Sequence, residues 1–523
     1  MTFLDLTDLA EPFTRLDVEW HGTPDGPECP LSFNQVNHLA AFRATGRSTW
    51  IGGTLPVAGV EPDAVADALR RVLARHEALR CVPAEMLVGT PEGPGDAASA
   101  GDGGAAGTAG SAGSAGDGGA VAPGAPFQRA YGPGQVTVGV GGPGRDLEAA
   151  MDAACVPGRV PGLFAGLVDG TLVVGVDHFH VDMLSVEIIL RELHGLLGAG
   201  GDGTDGGDAG AGAAGGEGGD AGAGAAGTSP AARADEPEVP SFTQVRTVGE
   251  VAAAAGAATP ATPTSPSGGD PSTRTPDRTH PDRADADRTD ADRRALDVWR
   301  RFFGRTGGRI PAAPVELLDP VPVDGPSSAT AASALPAPAH RVIDLVPADR
   351  MTGDLGERTF AVALTELARA LEPETGRAEL PVVIPVHTRG GRRSPLHDLV
   401  GWFVTNAPVI ADARDVDATR AWLRDAVTVA GLPLERVFVE FTPDLPAGGI
   451  FMVSSVDFRA RGPRIPGARY ISATSPTATL QLWFSRTDDA GLSVRVRHPG
   501  TRRADEVVTR ILERLRRGLA RHA

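Results

Sequence analysis

Two tracts of this chain cannot build a core, and they fix how much of it can fold. Residues 91–125 hold 12 Gly and residues 198–229 hold 15, with no Lys or Arg in either. Glycine loses the most backbone freedom on folding and brings no apolar side chain to bury, so such tracts stay solvated. Residues 230–294 are rich in Pro, Thr, Ala, Arg and Asp and read as linker. Of the 523 residues, 391 lie outside these three segments, enough for two packed lobes. The segments also carry -12 of the formal charge of -17, so the foldable part is nearly neutral. That balance provides no basic footprint for nucleic acid. All 49 basic residues are Arg, which excludes chemistry that requires Lys, such as a Schiff base or a P-loop.

Cys29, Cys81 and Cys155 are too far apart to form a zinc pattern or a disulfide framework. The opening residues are acidic where a signal peptide is basic, and no apolar run reaches 18 residues. A cytoplasmic protein without a membrane span is expected. Strands and helices alternate in both halves, which predicts an α/β or α+β chain. The expected division is a first lobe over 1–197 with an insertion at 91–125, a linker over 198–294, and a second lobe over 295–523. A short helix within the linker, near 243–256, is also compatible with the sequence.

His178 is the strongest chemical candidate. It stands in Asp177-His178-Phe179-His180-Val181-Asp182, between an apolar strand and an amphipathic helix predicted over Leu184 to Leu197. Strand-to-helix junctions are where α/β proteins gather reactive groups, and imidazole titrates near neutrality, as a general base requires. Two other readings stay open here. His178 can be a hydrogen-bonded side chain at a strand end, or His178, His180 and Asp182 can share a face and bind a metal, although no fourth ligand is visible nearby. Gly139-Val140-Gly141-Gly142-Pro143-Gly144 matches a dinucleotide pattern, but Pro143 lacks the N–H that would face a phosphate, so it reads as a turn. Arg75-His76-Glu77-Ala78-Leu79-Arg80 ends a predicted helix, where cations are favourable.

Taken in order, these segments resemble the condensation domain of nonribosomal peptide synthetases. That domain belongs to the superfamily of chloramphenicol acetyltransferase and the free-standing, polyketide-associated acyltransferases. Pro30-Leu31-Ser32-Phe33-Asn34-Gln35 is similar to the opening Ser-x-Ala-Gln segment. Arg75 to Arg80 matches Arg-His-Glu-x-Leu-Arg residue for residue. Asp177 to Ser185 aligns with His-His-x-x-x-Asp-Gly-x-Ser. Trp299 to Pro311 resembles the segment that opens the second lobe, and Val400-Gly401-Trp402-Phe403-Val404-Thr405-Asn406 is similar to Val-Gly-x-Phe-Val-Asn-Thr.

The resemblance implies two acetyltransferase-like lobes in a V-shaped pseudo-dimer, with the His loop midway along a channel between them. It implies an acyltransferase in which His178 takes the proton from an attacking amine or hydroxyl, or stabilises the tetrahedral intermediate. Asp182 would be structural, paired with Arg75 or Arg80, and Asp177 and Ser185 would support the loop, Ser185 as the cap of the following helix. Amides of that helix would favour negative charge developing nearby. Gln35, Gly401, Trp402 and Asn406 become channel or lobe-interface candidates. The donor would be an acyl thioester on a phosphopantetheine carrier or on coenzyme A, with no tightly bound cofactor and no metal. The partners would be a carrier protein and a small amine or alcohol acceptor, and the protein would be a monomer. Asp177 and Met183 depart from the His and Gly of the pattern. They keep a second expectation alive, a non-catalytic module that recruits a carrier or tailoring protein.

Overall fold

Strands that are apolar on both faces need cover on both sides, and the first half supplies it. In Leu163–Val168, Leu163 and Ala165 face one core cluster, while Phe164 and Val168 face another. The structure is a computed structural model. It describes Leu4, Leu6, Leu9 and residues 11–86, 126–157, 159, 162–198, 281–319, 336–391, 393–446, 449–461, 464–474 and 477–523. The expected insertion, most of the expected linker and the possible 243–256 helix lie outside the described residues.

The first half runs β1 (Phe13–Trp20), β2 (Cys29–Pro30), α1 (Phe33–Thr45), β3 (Trp50–Pro56), α2 (Pro62–Arg75), β4 (Cys81–Pro83) and β5 (Phe127–Ala130). It continues with β6 (Val136–Gly144), α3 (Leu147–Ala154), β7 (Leu163–Val168), β8 (Thr171–Asp177) and α4 (Met183–Gly198). The β7–β8 hairpin closes at Asp169-Gly170. Both residues have positive φ, 43° and 70°, as a two-residue turn between twisted strands requires. The glycine-rich segment 139–144 is strand rather than the expected turn. It forms the outer end of β6 along β1, an edge position where the missing N–H of Pro143 is tolerated.

The second half runs α5 (Pro281–Thr306), β9 (Pro338–Val346), α6 (Gly353–Glu357), α7 (Thr359–Thr375), β10 (Glu379–His387), β11 (Val404–Asp412), α8 (Val416–Thr428) and α9 (Leu434–Phe441). It ends with β12 (Met452–Asp457), β13 (Arg469–Ser472), β14 (Gln481–Thr487), β15 (Gly491–Pro499) and α10 (Arg502–Leu519). Residues 281–294, expected as linker, are the first half of α5. No Pro follows Pro281 within that helix, and Asp290 and Asp292 pair with Arg293 and Arg436. Trp299, Phe302 and Phe303 of α5 enter the second core.

Each half builds one six-stranded sheet, in the order β13-β3-β8-β7-β1-β6 and β11-β10-β12-β14-β15-β9. The first sheet is antiparallel throughout; the second is mixed. The halves are not separate along the chain. Strand β13 comes from the second half but adds to β3. Leu396, Leu399, Val400, Phe403, Phe458, Ile465 and Tyr470 pack into the first half's core. The loop after β8 therefore lies where both halves meet.

Candidate active site

The His loop is the five-residue turn between β8 and α4, and four elements hold it. Asp177, fully buried, closes β8 opposite Trp50. Its Oδ1 accepts from Phe179 N at 2.8 Å and from His38 Nε2 at 2.9 Å, and its Oδ2 accepts from Ser48 Oγ. His178 N donates to Thr49 O at 2.9 Å. His180 Nδ1 lies 3.0 Å from Ala78 O. Gln35 Nε2 donates to Phe179 O at 3.1 Å.

Gln35 is buried. It forms a capping box with Ser32 at the start of α1, so one side chain both ends that helix and supports the loop. Gln35→Leu is expected to lower stability by about 1–2 kcal/mol, the sum of a lost cap and a carbonyl left without its donor. A thermal melt checks this. Asn34, its neighbour, crosses to the second half and donates to Val404 O at 2.7 Å.

Asp182 does not pair with Arg75 or Arg80. Its partner is Arg389, 207 residues away and fully buried, in a two-point contact of Nη1 with Oδ2 and of Nη2 with Oδ1 at 2.9 Å. Arg75 ends α2 and pairs with Glu192 of α4, a contact shared by His76. Arg80 is buried, and its guanidinium donates to Leu73 O and Tyr131 O. The Arg-His-Glu-x-Leu-Arg segment thus braces α2 against α4 behind the loop. Ser185 is not the cap of α4 either. Asp182 caps it, accepting from Ser185 N at 2.9 Å, so that amide is not free for an oxyanion.

Ser185 Oγ instead bridges the halves, 2.8 Å from Arg389 Nη2, 2.9 Å from Gly401 O and 3.0 Å from Gly401 N. Arg389 Nε donates to Leu399 O at 3.0 Å, Phe403 N donates to Asp182 Oδ2 at 3.1 Å, and the guanidinium lies over the Phe403 ring. Burial alone would raise the Asp182 pKa, but the Arg389 charge and the Arg389 and Ser185 hydrogen bonds hold it below the usual carboxylate range.

This network ties down both neighbours of Trp402 and sets its indole against His178, ring centroids 4.3 Å apart. His178 is half-buried, and its Nδ1 has no hydrogen-bond partner among the described residues. Burial pushes its pKa below the ordinary imidazole value. His38 acts in the same direction, while Asp182 and Asp177 pull against both. The imidazole is therefore held neutral near neutral pH, the form that accepts a proton. Met183 stands first in α4 with no positive φ, so it fits where the family pattern has Gly. Asn406 sits on β11 opposite Pro385. Two cavities, of about 580 and 310 Å³, are lined by neither His178 nor Trp402.

Two of the side chains named for a metal are given to other partners. Asp182 is taken by Arg389, and His180 turns to Ala78 O. Among the described residues no cluster of three His, Cys, Asp or Glu can hold an ion. His38 and Arg389 were not singled out in the sequence. His38 lies three residues past Gln35 on α1. Arg389 follows the end of β10, before Gly390-Gly391, where a strand end meets a turn.

The fold is that of the condensation domains and chloramphenicol-acetyltransferase-like acyltransferases. The solved PapA2 acyl transferase matches with a TM-score of 0.63 at 15% identity, covering 100% of this chain and 99% of that one. The first condensation domain of the CDA synthetase matches with a TM-score of 0.53 at 16% identity, covering 95% and 97%. The starter condensation domain of rhizomide synthetase RzmA, solved with C8-CoA, matches with a TM-score of 0.54 at 12% identity, covering 94% and 95%. No protein-family model and no curated protein matches the chain. Among the described residues no helix is long and apolar enough to cross a membrane.

Proposed function

We propose that the protein is a condensation-type acyltransferase. It moves an acyl group from a carrier-protein or coenzyme A thioester to an amine or hydroxyl in secondary-metabolite or lipid assembly. The observation that carries this is the placement of His178, an imidazole whose Nδ1 has no partner among the described residues, on a loop stapled to both halves of an acyltransferase fold. His178 takes the proton of the attacking N–H or O–H as the new C–N or C–O bond forms at the thioester carbon. The tetrahedral intermediate then collapses, the C–S bond breaks, and the thiolate leaves with the proton from His178. The carboxylates of Asp177 and Asp182 favour the imidazolium in between. Binding of C8-CoA by one fold relative favours an acyl thioester as donor.

The test is turnover of an acyl-CoA and a carrier-bound acyl thioester against a panel of amines and alcohols, read by mass spectrometry. A lowered His178 pKa keeps the base neutral above that value and loses it as pH falls through it. The acid limb of kcat/KM should therefore bend below about 6.5, the ordinary imidazole value. A limb that bends higher, or that survives removal of the imidazole, assigns the base elsewhere. A second reading, a recruiting module without turnover, is favoured by one observation: the indole of Trp402 covers one face of His178. Carrier binding with no product across the panel would establish it.

A further inference from the structure

The site has a second imidazole that no part of the family pattern supplies. His38 projects from α1, with Nε2 2.9 Å from Asp177 Oδ1 and 3.1 Å from Ser48 Oγ. Ser48 Oγ donates to Asp177 Oδ2, and because a carboxylate oxygen accepts, His38 Nε2 carries the hydrogen shared with Asp177 Oδ1. Among the described residues, His38 is the one group able to carry positive charge that an ion pair or a hydrogen bond joins to this fully buried carboxylate. The other face of the arrangement is aromatic. Trp402 meets His38 edge to face at 5.7 Å and 86°, and meets His178 at 4.3 Å. The indole contacts both imidazoles.

We infer that His38, fixed by Asp177 and Ser48, is a positioning residue for His178, clamping Trp402 against the base and setting the pH range in which the base works. This rests on the role proposed for His178. The groups facing His178 are His38 from α1, Asp177 from β8 and Asp182 from the start of α4, with Arg389 behind Asp182. Asp182 is fixed by its two-point contact with the fully buried Arg389, which leaves the Asp177–His38 pair as the neighbour that a change at position 38 alters. Removing the His38 ring removes an influence that opposes protonation of His178, and leaves Asp177, which promotes it.

Two variants separate charge from packing. His38→Gln keeps an N–H for Asp177 but has no ring and no charge. His38→Phe keeps a ring for Trp402 but has no hydrogen bond and no charge. NMR titration of the His178 ring in the full-length protein, without substrate, should show both variants titrating at higher pH than the wild type. The indole resonance of Trp402 should move more in His38→Gln than in His38→Phe. In the transfer assay the acid limb should move up by the same interval. At neutral pH kcat should fall about tenfold in His38→Gln, with KM for the donor unchanged, as an equivalent loss of base and alignment predicts. Unshifted His178 titration in both folded variants overturns the inference. The NMR arm decides this even for a protein that turns nothing over, so failure of the coupling and failure of the acyltransferase reading are told apart.

Discussion

His178→Ala is expected to lower acyl transfer by about 10²- to 10⁴-fold, the usual contribution of a positioned general base. The loss should fall on kcat and kcat/KM together and leave KM for the donor thioester in place, because the imidazole acts on a proton that moves only in the transition state. Three features make the effect large. The ring is neutral, since burial and His38 disfavour its cation. The Trp402 indole packs against it. The nearby Ser185 amide, another group able to help, is already given to Asp182. The Nδ1 atom has no orienting acid among the described residues, unlike the imidazole of a Ser-His-Asp triad. Added imidazole should therefore restore part of the rate in His178→Ala, since little beyond the ring itself has to be replaced. A His178→Ala protein that folds and transfers as fast as the wild type would remove His178 from the mechanism and leave the fold without a named base.

Local pattern made much of this legible, and distance hid the rest. The β7–β8 hairpin was readable because Asp-Gly suits its positive-φ turn. Apolar runs bounded by turn residues read as strands in both halves. Crossing of the chain was not readable: the apolar segment near 469–472 looks like any strand, and nothing local says that it pairs with β3 rather than β14. The same holds for the partner of Asp182. A buried carboxylate demands a cation, and the sequence offered Arg75 and Arg80 close to other motif residues. Both turned out to be committed, to Glu192 and to backbone carbonyls. Arg389 lies in Thr388-Arg389-Gly390-Gly391-Arg392-Arg393, where composition does not distinguish one arginine from its neighbours. Helix α9, Leu434–Phe441, is hard to read from sequence because it is eight residues long and follows Gly431-Leu432-Pro433, which reads as a stop.

Arg389→Met should destabilise the protein by about 3–5 kcal/mol at neutral pH, the range for removing one partner of a buried ion pair. The guanidinium is fully buried, and methionine roughly fills its stem without replacing its donors. What remains is a buried Asp182 with no cation, and that gives the prediction a sign in pH. In the wild type the Asp182 pKa is held below its unfolded value, so its stabilisation is present above about pH 4 and is lost as pH falls through the folded value. In the variant burial acts without Arg389, and the folded pKa rises above the unfolded one. The variant is then penalised most at neutral pH and regains stability as acid protonates Asp182. The gap between the two proteins should narrow on acidification from pH 7 toward 4, in melts or urea titrations run across that range. Asp182→Asn in the same background should recover most of the loss at pH 7, because a neutral amide needs no cation, and the coupling in that cycle should exceed 1 kcal/mol, about what contacting charged groups show. A gap that stays constant with pH would mean that the cost is lost packing against Phe403 and not a buried charge. Activity should follow the same pH course. Gly401 and Phe403, on either side of Trp402, are held by Ser185, Arg389 and Asp182, so releasing Arg389 also releases the indole that aligns His178.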